Sequence, residues 1–401
     1  MLDQRVSVGP MSDPEAWKPT MLAAATRGAT AVDDAGVLHV LRHRDVEALL
    51  GERRLHGVGL SVFDASGVPA GPLRDWYAAL MFTNDGPAHD RLRRLVSKAF
   101  TPRAVDRLRR VAADLVEARV ARLRGVGGGD LVTALGDVPM HVMCALLGVP
   151  ASAVPEFISW VDALSPIFGF MSREQIDAAS AALTALLAYV DGLVAGRTES
   201  PADDLITALI RAEEDGDRLS RHETVSMVAN LLVGGHDTTS SQIGCSLLTL
   251  LARPEALALA RDGAGMLPSL VAETIRFEPS IVIAPRTVAA PLVIGDVERS
   301  PGTMIAFNFL TANHDPLAWS EPEVFRPARF ASPDASRLLS FGGGPHYCLG
   351  ASLARMTLEE SVRGVAAAAP RLVEEPTTTT VIHPGQLLEV DRFGNLLIRT
   401  T

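Results

Sequence analysis

Lysine is nearly missing from this chain of 401 residues: two (Lys18 and Lys98) stand against 35 arginines, and alanine, glycine and proline are abundant. Lysine has A-rich codons and the favoured residues G/C-rich ones, so the bias points to a bacterial genome of high G/C content rather than to a function. Cysteine is also scarce. Cys144, Cys245 and Cys348 are far apart and form no CxxC pair, which argues against zinc fingers, thioredoxin-like redox chemistry and covalent cofactor attachment through CxxCH. An odd, sparse count gives no disulfide framework and fits a reducing compartment. The N-terminal MLDQRVSVGPMSDPEAWKPT has no apolar core of the kind a signal peptide or anchor needs. The longest apolar stretch, Met227 to Ala252, is interrupted by His236-Asp237-Thr238-Thr239-Ser240-Ser241-Gln242, a cluster a lipid-spanning helix would hardly carry. These absences predict a soluble, cytoplasmic protein with no membrane partner. A net charge of −10 disfavours nucleic acid as a partner.

What is present is a large core: 47% hydrophobic and 21% charged residues, typical of a globular protein. Helical periodicity dominates in Arg103–Arg124, Ile176–Leu193 and Leu353–Ala369. Strand-like patches are fewer: Val37–Leu41, Pro279–Val293 and Leu387–Ile398. Loops are expected over Val58–Pro72, Gly125–Gly129 and Thr198–Asp203. With no internal repeat or long linker, residues 1–401 read as one undivided unit, mainly α with a smaller β portion.

The most informative stretch is Phe341-Gly342-Gly343-Gly344-Pro345-His346-Tyr347-Cys348-Leu349-Gly350. Its glycines allow positive φ and a close approach to a flat ligand. A strong helical pattern follows at once, so Cys348 sits just before a helix N-terminus, where orphan N–H groups and the dipole favour thiolate over thiol. Such a thiolate suits an axial iron ligand. A phosphate loop would need Gly-Lys-Ser/Thr, which is absent; a nucleophilic cysteine would want a separate His and an orienting group; a buried cysteine in a glycine-rich turn is the purely structural alternative.

This stretch resembles the haem-binding signature of the cytochromes P-450, Phe-Gly-x-Gly-x-His-x-Cys-x-Gly, at each fixed position: Phe341, Gly342, Gly344, His346, Cys348 and Gly350. Thiolate ligation of haem iron is a known feature of that family. Further elements match in order. Glu273 and Arg276, at i and i+3 where an ion pair forms on one helical face, resemble the family's Glu-x-x-Arg element. Arg329 falls at the third member of that structural clamp. Ala312-Asn313-His314-Asp315-Pro316 is similar to the family's Ala-Asn-Arg-Asp-Pro, with His314 in place of the usual Arg. His89, Arg93, Arg286 and His346 match the positions that supply partners to the haem propionates, which need cationic, hydrogen-bonding groups when buried. Gly234-Gly235-His236-Asp237-Thr238-Thr239 resembles the segment whose acid and alcohol, here Asp237 and Thr238, relay protons to bound oxygen. The expected setting is one long helix with a local distortion; the alternative is a second helix capped by Asp or Thr after a Gly-Gly break.

The resemblance implies a cytochrome P-450 fold, haem b (iron protoporphyrin IX) held by Cys348, and insertion of one oxygen atom from O2 into a hydrophobic small molecule. By family position the substrate pocket is expected to draw on Phe82, Ile167, Phe168, Val233, Ile281 and Val282. About 50 residues follow the cysteine loop, too few for a flavin domain, so a separate ferredoxin and ferredoxin reductase are the expected electron source. Arg91, Arg94, Lys98, Arg103 and Arg107 crowd one region and read either as a dock for an acidic ferredoxin or as a solvated charged face. A haem-thiolate enzyme of coupling or rearrangement would share every one of these motifs, a peroxide-driven one would not need Asp237 and Thr238, and a non-catalytic haem-binding protein is the alternative of a different class.

Overall fold

The computed structural model describes residues 14–100, 102–126, 129–214, 216–262 and 264–368, together with the backbone of short strands at either end. Eight helices position the site: α1 (Gly86–Ala99), α2 (Pro102–Gly125), α3 (Val138–Leu147), α4 (Val154–Leu164), α5 (Arg173–Glu199), α6 (Arg221–Leu251), α7 (Leu267–Phe277) and α8 (Ala351–Ala368). Two of them begin at reciprocal capping boxes that satisfy otherwise orphaned N–H groups. Ser172 and Gln175 start α5, and Ser220 and Glu223 start α6.

Helix α6 is the axle of the molecule. It runs 31 residues without a break through the Gly234-Gly235 pair, so Asp237 and Thr238 lie mid-helix and do not cap a second one. It packs on α3, α4, α5, α7 and α8, burying Val228, Ala229, Leu232, Ile243 and Leu247. The pattern expected for a surface helix is widened here, because a helix surrounded by others must be apolar on most faces. Among the described helices α5 is long and apolar enough to cross a membrane. Its Ile176, Leu183, Leu186, Val190 and Val194, at three-to-four spacing, are buried in the core, and the helix packs on α4 and α6.

The β portion is a mixed six-stranded sheet of β1 (Gln4–Arg5), β2 (Thr30–Val32), β3 (Leu38–Val40), β4 (Leu55–His56), β5 (Ile283–Val288) and β6 (Met304–Asn308), in the order β1-β2-β3-β6-β5-β4. β6 pairs parallel with β3 (Ile305 opposite Leu38) and antiparallel with β5 (Ile305 opposite Arg286). That register places Arg286 on the strand at the cavity's edge. The expected tail strand forms a hairpin, with Leu388 opposite Ile398. Two expectations need correction. Pro279–Val293 is not one strand: β5 ends at Val288 and Leu292–Ile294 pairs with Val297–Arg299 in its own hairpin. Val58–Pro72 is not all loop, for Ser61–Ala65 is helical around the buried Phe63. Gly127 and Gly128 lie outside the described residues.

Candidate active site

The cysteine loop is fixed by its own backbone. Cys348 N–H donates to Phe341 O at 2.9 Å and Gly342 N–H to Leu339 O at 2.7 Å. Gly342 (φ 70°) and Gly344 (φ 57°) occupy the left-handed region that glycine alone enters at no steric cost. At Gly344 a Cβ would also collide with the Leu50 carbonyl, so this position is glycine for two reasons. Helix α8 starts at Ala351, three residues after Cys348, as the sequence pattern predicts.

Cys348 is exposed, but to a cavity of about 300 Å³ whose wall it shares with Phe341, Gly342, Gly350, Thr238 and Ile281. The dense surroundings decide the thiol's chemistry: burial pushes it up from its ordinary value, while the Gly350 N–H, Arg93 and Arg355 pull it down. Burial outweighs these three. A cation close to the sulfur would tip the balance, as coordination by a metal does.

Beneath the loop, Glu273 and Arg276 are fully buried. Arg276 donates from Nε and Nη2 to the two Glu273 oxygens at 2.8 and 2.9 Å and from Nη1 to Asn313 O at 2.8 Å. Arg329 donates from Nε to Glu273 Oε1 at 3.1 Å and from its other nitrogens to the carbonyls of Ser320, Glu321 and Val324. Asn313 Nδ2 donates to Ser340 Oγ at 2.8 Å, one residue before Phe341. The three expected clamp residues are therefore together and tie α7 to the cysteine loop. His314, where the resembled pattern has Arg, is half-buried, its Nδ1 donating to Leu310 O at 2.9 Å.

Of the four expected propionate partners, Arg286 and His346 border the cavity, His89 packs on His346, and Arg93 is close enough to Cys348 to interact with it electrostatically. His89 is buried on α1 and its ring lies 4.3 Å from that of His346. Both histidines are already engaged on one side: His346 Nε2 donates to Asp85 Oδ1 at 2.9 Å, and His89 Nδ1 to Asp90 Oδ1 at 3.1 Å. Arg93 and Arg286 differ, because neither has an ion pair among the described residues. Burial depresses the pKa of both guanidinium groups, and the opposing pull of Asp85 on Arg286 and of Cys348 and Tyr347 on Arg93 does not offset it; Arg286 also donates to the Pro285 carbonyl. Such an arrangement costs free energy unless an anion completes it. Two unpaired cations beside two histidines fit a ligand bearing carboxylates at one edge, and the apolar wall leading to Cys348 fits a flat, iron-containing body. The residues present suit haem.

On α6, Thr238 faces the cavity, and its Oγ1 donates to Gly234 O at 3.2 Å. Gly234 and Gly235 share the wall; at Gly235 a Cβ would press on the Met143 Sδ at 3.2 Å. Asp237 is on the other side of the helix, outside the cavity lining. It is half-buried, burial pushes its carboxyl up, and its charged neighbours are His236 and Asp162. The expected acid and alcohol are thus neighbours in sequence that face different compartments.

Of the expected pocket residues, Ile281 lines this cavity. Ile167 and Val233 are buried in the core instead, and Val282 packs against the cluster around Trp17 and Met21. Val233 precedes Gly234 by one residue, about 100° around the helix, so it faces a neighbouring helix. Phe82 and Phe168 lie outside that lining and touch each other, ring centres 5.7 Å apart. Sequence reasoning missed Asp85, Gln242 and Ser280. Gln242 Oε1 accepts from Ser280 N–H at 2.8 Å and its Nε2 donates to Glu278 O at 2.9 Å; Ser280 Oγ donates to Thr238 O at 3.1 Å. This knot fastens the chain before Ile281 onto α6. Asp85 reads in sequence as an ordinary turn residue before Gly86-Pro87, and nothing local marks it otherwise.

Comparisons with known proteins give the family. The cytochrome P-450 family profile matches residues 70–262 and 265–360. The chain belongs to the cytochrome P-450 family. It is 34% identical to nocardicin C N-oxygenase of Nocardia uniformis subsp. tsuyamanensis over 83% of this chain and 82% of that one. It is 33% identical to vitamin D(3) 25-hydroxylase of Pseudonocardia autotrophica over 73% and 71%. Among solved structures it resembles CalO2 (TM-score 0.85, 27% identity, 93% of this chain and 97% of that one) and open EryK from S. erythraea (TM-score 0.81, 28% identity, 94% and 98%). The cytochrome P-450 fold, the haem b cofactor and the monooxygenase class follow, as does kinship with bacterial members.

Proposed function

We propose that Cys348 is the axial thiolate of this P-450 monooxygenase, that Arg93 and Arg286 with His89 and His346 bind the propionates, and that the substrate is an apolar small molecule. The observation that carries the reading is one shared wall: Cys348, Thr238 and Arg286 border the same apolar cavity. When bound, the haem supplies dioxygen activation and oxygen-atom transfer. The chain's own part is to hold it, orient substrate and manage protons. Phe341, Ile281, Leu353 and Met143 line the cavity, and an apolar lining favours an apolar ligand with few polar handles. Thr238 holds a hydroxyl proton at the cavity wall. Asp237, held protonated over a wider pH range by burial, exchanges protons with solvent from the far side of α6.

Residues 1–401 act in this reading as one haem domain that takes electrons from a separate ferredoxin and reductase. The basic region contributes less steering than its sequence suggests. Arg91 is held by Asp217 and Glu223, Arg107 pairs with Asp203, and Lys98 donates to Glu213 O; the side chain of Arg103 lies outside the described residues. Ion pairs within the chain cancel much of the field an acidic partner would feel. The test uses holoenzyme with a ferredoxin, its reductase and apolar candidate substrates under oxygen-18 gas. One labelled atom in product and one in water is the expected result. Product free of label, with hydrogen peroxide sustaining the same turnover, would favour the peroxide-driven alternative.

A further inference from the structure

Behind the cavity, on the opposite face of α6, stands a group the oxygenase chemistry does not absorb. His236 is 6% exposed, and neither ring nitrogen makes a hydrogen bond among the described residues; Nδ1 is fully enclosed without a partner. Its Nε2 points between two carboxylates, 4.0 Å from Asp162 Oδ1 on α4 and 3.9 Å from Asp237 Oδ1. These separations are too long for hydrogen bonds. The three ligand-type atoms nevertheless lie within 4.8 Å of one another. A buried imidazole with no hydrogen bond is costly to maintain, and here it is aimed at two groups of the charge and type that complete a metal site.

We infer that Asp162, His236 and Asp237 form a binding site for a divalent cation of the zinc class. One imidazole and two carboxylates from two helices suit such an ion, with water filling the remaining positions. Ligand bonds of about 2.0–2.2 Å require the donor atoms to draw closer together, which the exposed Asp162 side chain accommodates by rotation. The Asp162 and Asp237 charges balance the dication, and coordination at Nε2 relieves one of the imidazole's unmet nitrogens. Binding itself stands on this geometry alone. Its consequence, slower turnover, rests on the proposed role of Asp237 in proton supply, because a carboxylate engaged by a metal no longer exchanges protons freely.

Titration of the holoenzyme with Zn2+, followed by calorimetry and by equilibrium dialysis, tests the site without reference to activity. The expected result is one ion bound per chain, with affinity reduced about tenfold or more in Asp162→Ala and in His236→Gln. Asp162 is exposed, so its replacement leaves the fold and the haem spectrum intact. Equal Zn2+ affinity in wild type and both variants, or no stoichiometric binding, overturns the proposal. In parallel, Zn2+ should slow product formation by wild type but not by Asp162→Ala. Stoichiometric binding with unchanged turnover upholds the site and contradicts the proton-supply role of Asp237.

Discussion

His346 in the cysteine loop donates from Nε2 to Asp85 Oδ1 at 2.9 Å, joining the loop to the start of helix α1 across 261 positions of sequence. The other Asp85 oxygen accepts from Gly57 N–H at 2.9 Å. Burial pushes this carboxyl up, but His346, the Gly57 N–H and His56 outweigh it and hold it below its ordinary range. Asp85→Ala should weaken haem retention and cost about 1–3 kcal/mol of stability in urea unfolding. The sign of the pH effect follows from the depressed value. The stabilisation is complete above the unfolded aspartate pKa of about 3.9 and is lost as pH falls through the lower folded value. Asp85→Asn should therefore flatten that part of the acid-unfolding curve; an unaltered curve would remove Asp85 from the account.

The Glu273 clamp makes a stronger prediction. Glu273→Gln leaves Arg276 buried beside a neutral partner, and breaking a buried pair from one side typically costs about 3–5 kcal/mol. Soluble protein with little haem, unfolding at much lower urea, is the expected outcome. Wild-type stability in this variant would show that the three-residue cluster does not hold the loop.

Arg286→Leu and Arg93→Leu should each accelerate transfer of haem to apomyoglobin, since charge-assisted hydrogen bonds are worth about 1.5–3 kcal/mol each. That corresponds to roughly ten- to a hundredfold in affinity. Both variants should keep the haem spectrum of the bound form. Unchanged transfer rates would contradict the propionate assignment.

Thr238→Val removes a hydroxyl at the cavity wall and should divert much of the electron flow to hydrogen peroxide, with haem and substrate binding retained. Asp237→Asn should instead slow turnover, because it removes an ionisable group. Product per electron donor oxidised, assayed together with peroxide, separates the two effects. Coupling at the wild-type level in Thr238→Val would leave Thr238 only its bond to Gly234 O, a local helix contact.

Local chemistry carried far in the sequence. Glycines at Gly342 and Gly344 announce positive φ, the pattern after Cys348 announces α8, and Glu273 with Arg276 announces a helical pair. What stayed hidden depends on which way a helix face turns and on contacts across long sequence distances. Val233 is expected at the pocket and Thr238 beside bound oxygen, yet only Thr238 borders the cavity, because rotation of α6 is set by packing on five other helices. Asp237 and Thr238 read as one unit but are divided by the helix itself. The basic run from Arg91 to Arg107 reads as a dock or a solvated charged face, since its acidic partners Asp203, Asp217 and Glu223 come from a region more than ninety residues away. Asp85, Gln242 and Ser280 carry no local pattern, and only the tertiary structure gives them roles.

The account turns on Cys348, and the most direct measurement is the carbon monoxide difference spectrum of the reduced holoenzyme. Wild type should show the red-shifted Soret band of a thiolate-ligated haem, and Cys348→Ser should lose it while the fold, measured by circular dichroism, is retained. A reconstituted wild type without that band, or a Cys348→Ser variant that keeps it, would contradict the assignment of Cys348 as the iron's ligand.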